Sequence, residues 1–272
     1  MSEEIQIDEY TLETVKPFID EIRELHRNHV YEIGSEHQIC FDMGTKLDAW
    51  LSSVGTPRIF VARLRGEIVA TSFAIERELI SSNGKNTEPF WYLCNFRFKT
   101  HINPSEVSRA LFEKYYRYYY FRCPRLFTVM LDPTPQVLSP PPDYLSSIGS
   151  IRFKAACQIG IICLDTELME EVDPILRRHR GPIYYHSSDG IRDIQDAQNK
   201  QPLPLLHAQF GPCSQRGYAD PVDDHLHVFC TPLSDPLLSV LKYRGIQPIG
   251  TMTVFHHQMH QWNWQFLLTN EL

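Results

Sequence analysis

The chain has 272 residues, 43% hydrophobic and 22% charged, with a formal charge of −7; this is an ordinary globular balance and argues against general attraction to nucleic acid or an acidic membrane surface. No apolar run approaches the roughly 20 residues that span a bilayer, and Met1-Ser2-Glu3-Glu4 opens neither a signal nor a transit peptide, so a cytoplasmic protein is expected. Seven cysteines at scattered spacings, none in a C-x-x-C pair, are expected to be reduced, buried thiols.

Ile5-Gln6-Ile7 alternates as a strand does. Thr11 and Thr14 precede Val15, Phe18, Ile19, Ile22 and Leu25, a spacing that predicts an amphipathic helix ending near Gly34. A second helix is expected over 46–51. Strands over 58–64 and 67–76 flank the turn dipeptide Arg65-Gly66 and form a hairpin. A polar loop over 81–86, a strand over 90–98, a helix over 104–121 and a strand over 126–131 follow. Five prolines in 132–142 predict a stiff, extended connection. A short helix over 144–148 then leads to a continuous apolar strand over 158–164.

The chain changes character from Asp165 onward. Residues 167–171 read as helical, and Arg177-Arg178-His179-Arg180 as solvated basic surface. Residues 187–201 read as a polar loop or surface helix. Strands are expected over 205–210, 225–230 and 250–256, and a helix over 235–243. A helix–Arg-Gly–strand plan ends the chain, and 144–164 shares it, with Gly149 in the matching place. This reads either as a second, reduced copy of one half-fold or as the general preference of helix ends for glycine.

The most informative stretch runs from Phe96 to Glu113. A short alternating strand enters a tight turn, and Pro104 opens an amphipathic helix. A strand running into a helix N-terminus directs unpaired N–H groups at one point, which suits an anion such as a diphosphate. The stretch is similar, without a gap, to the central motif of the GNAT superfamily of acyl-CoA-dependent N-acyltransferases. Phe96 and Phe98 take the two apolar strand positions of that motif, and Asn103 falls where the family has arginine or glutamine. Pro104, Glu106 and Ser108 fall on its three glycine positions, and Val107, Ala110, Leu111 and Phe112 continue the apolar helix face. Asn103, Pro104 and Glu106 also form a capping box, which accounts for them without any cofactor. Glu106 places a carboxylate where a diphosphate would be repelled.

The element order β-α-α-β-β-β-α-β-α-β resembles the GNAT fold over about the first 165 residues. The resemblance implies an α/β protein with a mixed sheet, a GNAT-like domain over 1–165 and a C-terminal α/β extension over 166–272. It implies coenzyme A or acyl-CoA as co-substrate, held by Phe96, Arg97, Phe98, Asn103, Ser105, Val107, Ser108 and Arg109, and a small-molecule amine as acceptor. Neither nucleic acid nor a membrane is implied as a partner. Such an enzyme needs a base for the amine, donors for the carbonyl oxygen and an acid for the thiolate. Cys94 and Asn95 occupy the neighbourhood of the family's catalytic glutamate, and Glu76 and Glu78 are the nearest carboxylates on the preceding strand. Tyr144 stands close to the place of the family's acid. Each has a plain alternative: Cys94 as a buried thiol, the glutamates as a solvated edge, Tyr144 as core cover.

Phe90, Trp91 and Tyr92 would suit an acyl chain longer than acetyl. The tyrosine-rich run 115–121 places Tyr115, Tyr118 and Tyr119 on the face of Leu111, as core. His225, His227, His256, His257 and His260, with Cys213 and Cys230, could hold zinc, but no spacing matches a zinc motif and no metal is assigned. The sequence therefore points to an N-acyltransferase acting by direct attack of an amine on a thioester. The alternatives are a cofactor-free scaffold of the same fold and a histidine-rich metal protein.

Overall fold

A computed structural model of the chain describes residues 5–27, 29–33, 37–42, 47–80, 87–132, 141–142, 145, 151–189, 191–211, 213–215, 217–260 and 262–271. The elements in chain order begin with strand β1 (Gln6–Tyr10), helix α1 (Ile19–Arg27), strands β2 (Val30–Ile33) and β3 (His37–Asp42), and helix α2 (Leu47–Val54). Strands β4 (Thr56–Leu64), β5 (Glu67–Ile80) and β6 (Thr87–Phe98) follow, then helix α3 (Pro104–Tyr115) and strands β7 (Leu126–Leu131) and β8 (Lys154–Leu164). The remainder is helix α4 (Thr166–Arg180), strands β9 (Tyr184–Ser187), β10 (Asp193–Asp196), β11 (Leu205–Gln209) and β12 (Leu226–Pro232), helix α5 (Pro236–Tyr243) and strand β13 (Gly250–His257).

Ten strands form one mixed sheet in the order β1-β4-β5-β6-β7-β13-β8-β12-β11-β9, and β10-β3-β2 form a small second sheet. The β4–β5 hairpin turns at Arg65 and Gly66, with φ of 53° and 84°. Paired left-handed residues are what a two-residue hairpin with right-twisting strands requires. Two parallel pairs, β6–β7 and β11–β12, are related by the sheet order. β7 pairs antiparallel with β13, β12 pairs antiparallel with β8, and β13 and β8 pair with each other at the centre. Each half of the chain thus lends its last strand to the other half.

The two faces of the sheet are packed differently. Ile59, Phe73, Ile75, Tyr92, Phe127, Ile161 and Val254 point to one face, where Trp50 and Leu51 of α2 and the C-terminal segment Trp262–Leu267 cover them. That segment is called the strap below. The other face carries Ala74, Trp91, Leu126 and Phe255 under α3, and further along Ile162, Leu206 and Phe229 under α4 and α5.

Several expectations are revised. The first helix stops at Arg27, and the hairpin β2–β3 occupies the chain that follows. Residues 193–196, expected in a loop or surface helix, pair with β3 as β10. The helix after Pro104 is α-helical only to Tyr115; Tyr116–Tyr120 widen into a π turn. The helix begun near 167 runs on to Arg180. Arg180 is not solvated surface: it is 6% exposed and pairs with Asp235 at 2.5 Å. The short helix over 144–148 and most of the proline-rich connection lie outside the described residues.

Candidate active site

β6 and β7 run side by side for only two residue pairs, Trp91 with Leu126 and Tyr92 with Phe127. Six more residues of β6 and four of β7 continue without pairing to each other, so the sheet opens there. Two features hold it open. On the β6 side, Cys94 pairs with Phe73 and Arg97 with Thr71, leaving Asn95 and Phe96 opposite the single Ser72. This is a bulge, with Asn95 at φ 53°, a left-handed conformation that asparagine tolerates better than most residues. On the β7 side, all six residues pair along the opposite edge with β13. Asp132, 6% exposed, ends β7 and accepts hydrogen bonds from Thr251 Oγ1 (2.8 Å), Thr253 Oγ1 (2.5 Å) and Gln158 Nε2 (2.9 Å). A carboxylate with three donors on two neighbouring strands pins the end of β7 away from β6. Sequence reasoning did not single out Asp132, because its partners lie 26 to 121 positions away.

The closed end of the split is floored by aromatic rings. Tyr92 stacks on Phe127 at 4.8 Å between centroids, and Trp264 and Phe266 of the strap reach Phe127 at 5.5 and 5.9 Å. Phe90, Trp91 and Tyr92 are all core side chains. Beneath α3 the packing leaves a void beside Ser72, Leu93, Phe96 and Tyr115 with room for about one water molecule.

The described site residues are spread over both faces of the sheet and along α3. Cys94 is buried on the strap-covered face; burial pushes its thiol up to about 12, and Asn95 Nδ2 donates to its sulfur at 3.7 Å. Glu76 is half-buried on β5 opposite Trp91, at the closed end of the split, and Glu78 is exposed. Phe96 stacks on Phe112 at 5.6 Å, and Phe98 pairs with Ala70. Arg97 projects to the other face, where its guanidinium lies 4.8 Å from the Tyr31 ring centre. Asn103 caps α3: its side chain accepts from the Ser105 N–H at 3.1 Å. Glu106 returns no bond to Asn103, so only half of a capping box forms. Ser105 and Arg109 are exposed, Val107 is core, and Ser108 is fully buried with its hydroxyl unbonded. Tyr144 lies outside the described residues. Tyr115 and Tyr119 are core.

The strap-covered face also holds buried polar groups. Arg77 of β5 and Glu271, each 4% exposed, meet through two hydrogen bonds of 2.9 and 2.7 Å. Two residues earlier, Thr269 Oγ1 lies 2.9 Å from His207 Nδ1 of β11. The turn Thr269–Glu271 thus ties β11 to β5 across this face.

Five of the described histidines, His26, His207, His227, His256 and His257, are buried. His227 Nε2 accepts from the Val222 N–H at 3.1 Å, and His256 Nδ1 from the Met259 N–H at 3.1 Å. Among the described residues no three histidine, cysteine or acidic side chains gather as a metal would need. All seven cysteines are free. Burial pushes His207 down to about 3, with His186 and Arg192 adding to the effect, and burial with His260 pushes His256 down to about 4. An unfolded histidine takes its proton near 6.5, whereas these take theirs only much lower. The unfolded chain therefore binds more protons as the pH falls below about 6.5, and stability drops by up to about 1.4 kcal/mol per pH unit for each such group. For His207 the loss should continue to about pH 3. Urea unfolding at pH 7 and pH 5 should show it, with a shallower dependence in His207→Asn.

No protein-family model matches the chain, and no curated protein matches it in sequence. Solved structures do match. N-myristoyltransferase of Saccharomyces cerevisiae, with bound myristoyl-CoA and inhibitors, superposes with a TM-score of 0.51 at 10% identity, covering 94% of this chain and 80% of that one. The same enzyme with myristoyl-CoA gives 0.50 at 11% identity, covering 94% and 78%. A tandem GNAT protein from the clavulanic acid biosynthesis pathway gives 0.48 at 10%, covering 93% and 98%. The chain has the fold of the GNAT-type N-acyltransferases: a mixed α/β sheet that opens between two parallel strands. No described helix is long and apolar enough to cross a membrane.

Proposed function

We propose that the chain is an N-acyltransferase that moves an acyl group from a thioester to an amine. The observation that carries this reading is the parting of β6 and β7 after two residue pairs, at the Asn95 bulge and just before the N-terminus of α3. A pantetheine arm lying in that opening would extend the unpaired edge of β6. Backbone donors at the bulge would polarise the thioester carbonyl. The amine nitrogen would attack the carbonyl carbon, the C–S bond would break, and the thiolate would leave with a proton, for which Tyr144 is the proposed donor. Glu76 faces α3 rather than the strap, so the proton lost by the nitrogen is assigned to water. Cys94, held as a thiol, is given no nucleophilic role. Residues 166–272 are read as a second, reduced half of the same plan, since β11–β12 repeats the parallel pairing of β6–β7.

The diphosphate end of coenzyme A meets a poorer site. Pro104 lacks an N–H, Asn103 already holds that of Ser105, and Ser108 is turned into the core. The backbone of 103–109 and the exposed Arg109 would provide the remaining contacts. The pantetheine arm, shared by acyl-CoA and acyl-carrier thioesters, is the part that fits best. These same features favour the alternative, a scaffold that has lost its cofactor.

Thermal unfolding with coenzyme A, acetyl-CoA and a long-chain acyl-CoA separates the two. A ligand at about 100 times its Kd should add roughly 2.7 kcal/mol; no shift with any thioester would leave the scaffold. Glu106→Gln sharpens the test. The acidic residue in the first turn supports α3 by about 0.3–1 kcal/mol, so its loss should lower stability slightly. Removal of its charge should nevertheless tighten coenzyme A, as calorimetry would show.

A further inference from the structure

The open end of β6 carries a cation on the side away from α3. Arg97 follows the Asn95 bulge by two residues, and its neighbours Phe96 and Phe98 pack under α3. Arg97 therefore projects to the opposite side, where it is half-buried and its Nη1 donates to the Phe96 carbonyl at 2.7 Å. Its guanidinium lies 4.8 Å from the ring centre of Tyr31 on β2. That contact begins a row. Tyr31 meets Phe41 of β3 edge-on at 4.9 Å. Arg192, just before β10, lies 4.2 Å from the Phe41 ring centre and 4.5 Å from that of Trp50 on α2. His29, exposed, meets the Tyr31 ring at 4.7 Å. Two guanidiniums and three rings thus run from the open end of β6 to α2. Solvent reaches Arg97, Tyr31 and His29 but scarcely reaches Arg192, which is 6% exposed.

The row is electropositive. Burial and then Arg97 push His29 down to about 4, and burial with Arg97 and Arg192 pushes His26 well below its usual range. Both imidazoles are neutral at pH 7, so the guanidiniums supply the charge. Arg77 and Glu271, on the same side of the sheet, cancel one another. The acids of α1 are engaged: Asp20 with Arg23, Glu24 with Arg27, and Glu21 with the Ile68 N–H. Of the two guanidiniums, Arg97 is the one a molecule in the opening can touch. Arg192 lies too deep; it adds to the field and holds Phe41, and through it Tyr31, against α2. We propose that the acyl acceptor is an amine with a carboxylate at its far end, bound with the carboxylate on Arg97 and the nitrogen toward the Asn95 bulge. A flat guanidinium matches a carboxylate in shape and a monoanion in charge. Two strand residues span about 7 Å, which suits a spacer of about three carbons. Arg97 thereby serves the acceptor and not coenzyme A, where the sequence resemblance had put it. The proposal rests on the N-acyltransferase reading for the fate of the nitrogen, but not for the binding of the carboxylate.

Calorimetry with 4-aminobutanoate and 4-aminobutanamide, with and without coenzyme A, tests this, since the two amines differ only in the charge of the far end. At low salt the wild-type chain should bind 4-aminobutanoate about tenfold or more tightly. The difference should shrink as salt is raised, because Arg97 is open to solvent. Arg97→Gln should abolish the preference and leave coenzyme A affinity unchanged. The salt dependence is read on the wild type, so the test holds even if Arg97→Gln folds poorly. Equal binding of the two amines by the wild type, a preference indifferent to salt, or one that survives Arg97→Gln would overturn the proposal. Loss of coenzyme A affinity in Arg97→Gln would return the residue to the cofactor and overturn it too. Failure of the wild type to bind coenzyme A would count against the N-acyltransferase reading while leaving the charge preference measurable.

Discussion

Glu271→Ala is expected to lower the unfolding free energy by about 3–5 kcal/mol. The substitution strands the Arg77 guanidinium, 4% exposed, on a face that offers it no other described carboxylate. It also frees the turn that ties β11 to β5, so the damage should spread along the strap to Trp264 and Phe266. Arg77→Leu alone should cost a similar amount by leaving the Glu271 carboxylate buried and unpaired. The double variant Arg77→Leu/Glu271→Leu should recover much of the loss, because removing both charges also removes the cost of burying them. Guanidinium titrations of the three variants measure this directly. Equal, additive losses in the double variant would mean that the pair is not coupled as the geometry requires.

Asp132→Leu is expected to cost about 3 kcal/mol or more, since it deprives Thr251, Thr253 and Gln158 of one shared acceptor. Its second effect bears on function. With the end of β7 no longer pinned to β13 and β8, the width of the opening against β6 is no longer defined. Coenzyme A affinity should therefore fall together with stability. Thr253→Val, which removes one of the three bonds, should show a smaller change in both. A variant that lost stability but bound thioesters unchanged would show that Asp132 only staples the sheet.

What was legible in the sequence was local. Arg65-Gly66 announced a hairpin because its turn needs two left-handed residues, and Asn103-Pro104 announced a helix start through capping chemistry. The apolar run 126–131 became β7 with the expected bounds. What was missed depends on distant partners. Residues 193–196, Asp-Ile-Gln-Asp, have no strand signature of their own and become a strand only because β3, some 150 positions earlier, lies beside them. Arg180 reads as surface until Asp235, 55 positions later, is brought against it. The insertion of β13 between β7 and β8 leaves no trace in either segment, because its residues lie far along the chain from both. The Asn95 bulge had one faint signal, an asparagine inside a strand of large apolar residues.

A thioester is expected to occupy the opening between β6 and β7. Hydrogen exchange with and without a saturating long-chain acyl-CoA tests this most directly, residue by residue. Slower exchange should appear at the backbone amides of 94–98 on β6 and 105–108 on α3, while the fully paired strands β4 and β8 stay unchanged. Unchanged exchange at 94–98 in the presence of bound acyl-CoA, or protection confined to another part of the sheet, would contradict it.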